Sequence, residues 1–124
     1  MRIFKNKLFS KWAEKEGIGD SVLRTAVDEM ERGLIDADLG GHVVKKRVAI
    51  GDRGKSSGVR TLLAYRIGTK AFFVYGFAKN ARANISAYEL KALKHLAKEL
   101  LSYNEQALTE AVEQGALIEV KHDG

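Results

Sequence analysis

The chain contains no cysteine. Disulfides, thiolate catalysis and cysteine-ligated zinc or iron–sulfur clusters are therefore excluded, and a reducing cytoplasm suits the composition. Histidine is scarce, with His42, His95 and His122 too dispersed to form a metal cluster. His95 falls within a helical pattern and His122 in the tail, so both read as surface residues. Long apolar runs are also missing. The longest, Ala71 to Ala78, is far short of the roughly 20 residues a membrane-spanning helix requires. From Arg2 to Glu16 charged and hydrophobic residues alternate, without the apolar stretch of a signal peptide. These absences lead to the expectation of a soluble cytoplasmic protein with no membrane partner. At 124 residues it is expected to be one domain, 1–124, long enough to bury a core.

What is present is unevenly distributed charge. Between Lys45 and Asn84 stand ten Lys or Arg against one acid, Asp52, a net +9. The rest of the chain carries eleven bases and fifteen acids, net −4, so the formal +5 hides a polarised molecule. A basic patch of this kind is the footprint of a polyanion ligand. The competing reading is a solvated sheet surface. The alternation of these charges with strand hydrophobes, beside a Gly/Ser turn, favours phosphate binding.

Hydrophobic periodicity divides the chain into elements. Phe4, Leu8, Phe9 and Trp12 lie at helical spacing within residues 3–16, with Gly17 placed to end that helix. A second helix is expected from Ser21 to about residue 32, with Asp20 or Ser21 as cap. Its apolar stripe is Leu23, Ala26, Val27 and Met30, and Gly33 is its stop. The period then changes to two. His42–Ile50, Val59–Ile67 and Ala71–Ala78 read as consecutive antiparallel strands separated by glycine-containing turns. In the second of them Arg60, Leu62, Ala64 and Arg66 share one face, and apolar residues on both faces mark a central strand. Ser86-Ala87-Tyr88-Glu89 is a capping box, with Ile85 and Leu90 as a hydrophobic staple. A shorter helix over Glu105–Gln114 and a last strand over Ala116–Val120 complete the order α-α-β-β-β-α-α-β. The expected class is α+β, with an antiparallel sheet of three to four strands.

Two chemistries fail on spacing. Gly54-Lys55-Ser56 would belong to a phosphate-binding loop of a nucleotidase only with glycine at position 49, where Ala49 stands, and only if a helix followed. Two-metal hydrolysis has no visible carboxylate set, since Asp52 is alone among the bases. Neither metal nor cofactor is expected. Phosphate chemistry by cations remains. RNA carries its own nucleophile, the 2′-hydroxyl, so a protein need only align it, move its proton and stabilise the charged transition state. Arginine meets phosphate oxygens bidentately and stays charged, whereas lysine among other cations has its pKa lowered toward one useful for proton transfer.

Several of these segments also resemble the RelE/HigB superfamily of bacterial type II toxins. The matching text is Lys46-Arg47-Val48-Ala49, Gly54-Lys55-Ser56-Ser57-Gly58-Val59-Arg60-Thr61, Phe72-Phe73-Val74-Tyr75-Gly76-Phe77-Ala78-Lys79-Asn80, and Asn84-Ile85 leading to Glu89-Leu90-Lys91. The resemblance implies a small endoribonuclease that cuts mRNA on translating ribosomes, and a cognate antitoxin with a helix-turn-helix domain. It implies catalytic roles for Lys55, Arg60 and Lys79. RNA contacts are expected from Lys45, Lys46, Arg47, Arg53, Arg66, Asn80, Arg82 and Asn84, with mRNA and rRNA as partners. Where some relatives end in a catalytic tyrosine or histidine, this tail offers only His122. The alternatives are a non-catalytic RNA- or ribosome-binding module and a degenerate toxin acting as a regulator, because binding and catalysis draw on the same Lys and Arg residues.

Overall fold

Three pairs of adjacent residues, Ile3–Phe4, Leu62–Leu63 and Phe72–Phe73, are each wholly buried on both members. Side chains alternate across a strand, so these strands must be covered on both faces. The structure is a computed structural model that describes residues 1–50, 58–78, 82 and 84–121. Its elements are β1 (Arg2–Asn6), α1 (Lys7–Glu16), α2 (Asp20–Glu31), β2 (Ala37–Asp38), β3 (Val43–Val48), β4 (Val59–Arg66), β5 (Lys70–Ala78), α3 (Ala87–Leu101), α4 (Glu105–Glu113) and β6 (Leu117–Glu119). The strands form one sheet in the order β2-β3-β4-β5-β1-β6. All its pairings are antiparallel except β1 with β5.

One core lies beneath α1 and α2. Phe9, Ala13, Leu23, Ala26, Val27 and Met30 pack there on Ile3, Val44, Leu63 and Phe73. The other lies beneath α3 and α4, where Ala97, Leu100, Leu101 and Leu108 meet Phe4, Val43, Leu62, Ala64 and Phe72. Each such large side chain contributes about 1.5–3 kcal/mol relative to exposure, so the two cores hold the sheet as a middle layer.

The α+β class stands, but the expected order and strand count do not. Six strands replace three to four, and the chain begins with a strand rather than a helix. The apolar spacing of Phe4, Leu8, Phe9 and Trp12 runs across the boundary at Asn6. That residue caps α1 by accepting the Phe9 amide at 2.7 Å. Residues 2–5 are extended because β5 offers them a parallel partner 68 positions away, a pairing no local period can show. α2 likewise lacks the expected Asp20 or Ser21 cap, since Gly19 occupies the cap position without a side-chain bond. The Asp20 carboxylate instead accepts from Lys5 and from the Lys121 amide. The capping box of α3 is present as expected. Ser86 accepts the Glu89 amide at 3.1 Å, and Glu89 accepts the Ser86 amide at 2.8 Å.

An irregularity in β5 re-aims the side chains at its far end. Leu62 stands opposite Tyr75 while Leu63 stands opposite Phe73, so Val74 is an extra residue. Such a bulge shifts the alternation by one. Val74 and Tyr75 both contact the α3 core, Gly76 turns toward α1, and Phe77 returns to the α3 side. A Cβ on Gly76 would lie 2.2 Å from the Trp12 ring, so only glycine lets α1 seat there.

Candidate nucleic-acid interface

The register across the sheet determines which basic residues share a surface. Arg47, Arg60 and Phe77 are opposite one another on β3, β4 and β5, and Lys45, Leu62 and Tyr75 form the neighbouring row. Both rows face the α3 side. Directly opposed residues on adjacent strands stand about 5 Å apart at Cβ, and like charges so placed destabilise the pair. Two arginines face each other here, and their surroundings differ.

Arg47 is neutralised. Its Nε donates to Asp36 Oδ1 at 2.9 Å and its backbone amide to Oδ2 at 2.6 Å. Burial alone would raise the Asp36 pKa, but these two donors outweigh it and hold the carboxyl below its ordinary value. Arg60 is different. It is 8% exposed, and among the described residues its Nη1 is a buried donor without a hydrogen-bond partner. A buried unsatisfied donor costs about 1–3 kcal/mol, more when charged. Folding therefore leaves one nitrogen of a buried guanidinium without a hydrogen-bond partner among the described residues.

Beside Arg60, an aromatic and ionic cluster forms the other flank. The Phe77 and Tyr75 rings are 6.0 Å apart, and the Arg82 guanidinium sits 5.9 Å from the Phe77 centroid. Arg82 donates to both carboxylate oxygens of Glu89, at 2.9 and 2.6 Å, to the Tyr75 hydroxyl at 3.2 Å and to the Asn84 carbonyl at 2.8 Å. Arg82 foremost, then the Ser86 amide, brings the Glu89 pKa down to about 2 from an ordinary 4.5. The capping carboxylate of α3 is thus also the anchor of Arg82, which ties the helix start to the site.

The expected site residues divide accordingly. Lys45, Arg47, Arg60 and Arg82 share the surface, with exposed Asn84 near Arg82. Lys46 does not. It points to the α2 side, is 3% exposed, and pairs with Glu29 at 2.8 Å while donating to the Leu34 carbonyl. Arg66 shares Arg60's face but lies six residues along β4, about 20 Å away at strand rise. Lys55, Lys79, Arg53 and Asn80 lie outside the described residues, as does His122. Among the described residues no three His, Asp or Glu side chains are grouped to hold a metal. Asp36 and Glu89 were missed as shaping residues. The capping box already named Glu89, but its bond to Arg82 depends on the chain's path after β5.

A basic, partly aromatic strand surface between two helical layers is the setting in which the family comparison applies. The family model described as "RelE toxin of RelE / RelB toxin-antitoxin system" matches residues 1–120. The chain belongs to the RelE family. A search of the curated proteins gives no match. As a RelE-type chain it is the toxin side of a toxin–antitoxin pair, and toxins of this family are generally endoribonucleases. Among the described residues, no helix of this RelE chain is long and apolar enough to cross a membrane.

Proposed function

We propose that this toxin is a metal-independent endoribonuclease that cuts mRNA on the ribosome in the cytoplasm, acting as one domain and restrained by a helix-turn-helix antitoxin. The observation that carries the reading is Arg60, a buried guanidinium without a hydrogen-bond partner for Nη1 among the described residues. In the scheme the mRNA 2′-hydroxyl loses its proton and its oxygen attacks the adjacent phosphorus, while the P–O5′ bond breaks and the leaving 5′-oxygen takes up a proton, giving a 2′,3′-cyclic phosphate and a 5′-hydroxyl. Arg60 stabilises the charge that develops on the phosphoryl oxygens, because its planar fork fits them bidentately. Lys55 and Lys79 carry the remaining catalytic roles. Lys45, Arg47, Arg53, Arg82, Asn80 and Asn84 position the strand, and Tyr75 and Phe77 offer ring faces on which an unstacked base can rest.

Induced expression without antitoxin should arrest growth, and Arg60→Met should relieve the arrest while the protein stays folded. A folded Arg60→Met protein that remains fully toxic removes Arg60 from the mechanism. Cutting should persist in EDTA with ribosomes intact and leave a 2′,3′-cyclic or 3′-phosphate end. A 3′-hydroxyl product would overturn internal attack. The second reading, a non-catalytic RNA-binding module, is favoured by the carboxylates that already hold Arg47 and Arg82. It predicts RNA binding without any new ends in primer extension.

A further inference from the structure

The sheet register splits the basic stretch, and its far portion reaches a second cleft. At the end of β4 opposite Arg60, exposed Arg66 lines a cleft of about 490 Å³ together with Gly41, His42, Lys94, Lys98 and Ser102. Lys94 and Lys98 come from α3, His42 from the turn before β3, and Arg66 from β4. Three elements thus bring Arg66, Lys94, Lys98 and the His42 imidazole to one place, and among the described residues no Asp or Glu lines it. The nearest acid of the adjoining cleft, Asp38, is engaged by the Gly40 amide at 2.9 Å.

The arrangement is built rather than incidental. A Cβ on Gly41 would fall 2.9 Å from Lys94 Cγ, so the turn is stripped of side chain where the lysine stem crosses it. His42 is the one non-glycine residue with positive φ among those described, at 64°, a conformation uncommon outside glycine, in which histidine is somewhat enriched. Among the described residues Arg66, Lys94 and Lys98 have no carboxylate partner, a state they share with other bases such as Lys7, Lys11 and Lys15, so it is their convergence on one cleft that sets them apart. The dipole of α3 favours a cation at Lys98 near its C-terminus, but it does not account for Lys94 or Arg66.

We propose that this cleft is a second phosphate-binding site that holds the backbone of a structured RNA, distinct from the Arg60 site. It rests on the RNA-directed reading above. Arg66 and Arg60 lie on one face of β4, about 20 Å apart, so one RNA can engage both sites and the second contact raises the effective concentration of the first. Duplex RNA is recognised by shape and backbone phosphates, which suits the three cations Arg66, Lys94 and Lys98 converging from two elements.

The test is the salt-dependent binding of a labelled RNA duplex of about 20 base pairs, long enough for backbone recognition. It is measured with Arg60 intact and in Arg60→Met protein. Lys94→Gln with Lys98→Gln should weaken binding on the order of tenfold and flatten the log–log salt slope by about 1.5, in both backgrounds. Arg66→Gln, away from the helix, should act in the same direction and guards against a folding defect in the lysine pair. Unchanged affinity and slope in variants that melt like the parent would overturn the site, even if growth arrest still depends on Arg60. Saturable binding of inorganic phosphate that the lysine variants abolish, with duplex affinity unchanged, would make it a small-anion site and overturn the RNA assignment. Toxicity indifferent to Arg60, with the duplex effect intact, would sink the cleavage reading and leave this site standing.

Discussion

A single guanidinium carries most of the proposed chemistry, and its energetics can be tested apart from activity. Breaking a buried ion pair costs about 3–5 kcal/mol because a charge is left uncompensated. Arg60 Nη1 has no hydrogen-bond partner among the described residues, so Arg60→Met should leave the thermal midpoint unchanged or raise it while abolishing toxicity. A large drop in midpoint would show that Arg60 is a structural residue. Glu89 gives the opposite case. Its folded pKa of about 2 lies below the ordinary 4.5, so the stabilisation from its bonds to Arg82 and Ser86 is present above pH 4.5. It is lost as pH falls through 2. A carboxyl NMR titration of Glu89 should show a midpoint near 2 that moves toward 4.5 in Arg82→Gln. A midpoint near 4.5 in the parent would mean that the Arg82 bond does not hold in solution.

At the scale of elements, the bulge at Val74 decides which side chains of β5 reach the site. Were β5 to alternate regularly through Val74, with no bulge, Tyr75 and Phe77 would turn to the α1 side and Gly76 to the α3 side. The bulge therefore supplies the aromatic flank and also sets the demand for glycine beneath Trp12. Gly76→Ala should destabilise the protein by about 1–3 kcal/mol, the usual cost of overpacking a tight contact. Double substitution with Trp12→Leu should recover much of that loss in denaturant unfolding. Equal destabilisation in both would place the cause in the strand rather than in the Trp12 contact.

Across the whole molecule, the net +9 segment and the net −4 remainder set how a partner approaches. An antitoxin of acidic surface would be steered by that field, and its association rate should then fall as ionic strength rises. Two docking modes are open to it. Charge favours covering the Arg60 surface, whereas a cleft lined by exposed Leu8 with Phe9, Trp12 and Val74 offers an apolar seat along α1. Hydrogen exchange on the complex separates them. Protection confined to residues 3–32 would rule out masking of the Arg60 site, and an association rate indifferent to salt would rule out electrostatic steering.

Local signals were enough for much of this architecture. The stripe Leu23, Ala26, Val27 and Met30, the Ser86–Glu89 capping box and the β4 face carrying Arg60 all depend on residues within a turn or two of one another, and all are present. The family was legible as well, because its motifs are contiguous text. What the sequence alone could not decide is where distant segments meet. β1 exists because β5 lies alongside it, and Lys46 is buried because α2 brings Glu29 over it. Arg66 departs from Arg60's site because strand rise carries it some 20 Å away. A run of like charges in sequence is one patch only if the chain does not alternate, extend or fold over it. The strands of this sheet alternate and extend, and its helices fold over both faces, so tertiary structure turned one basic stretch into a buried arginine whose Nη1 has no partner among the described residues, a buried ion pair and a second cleft.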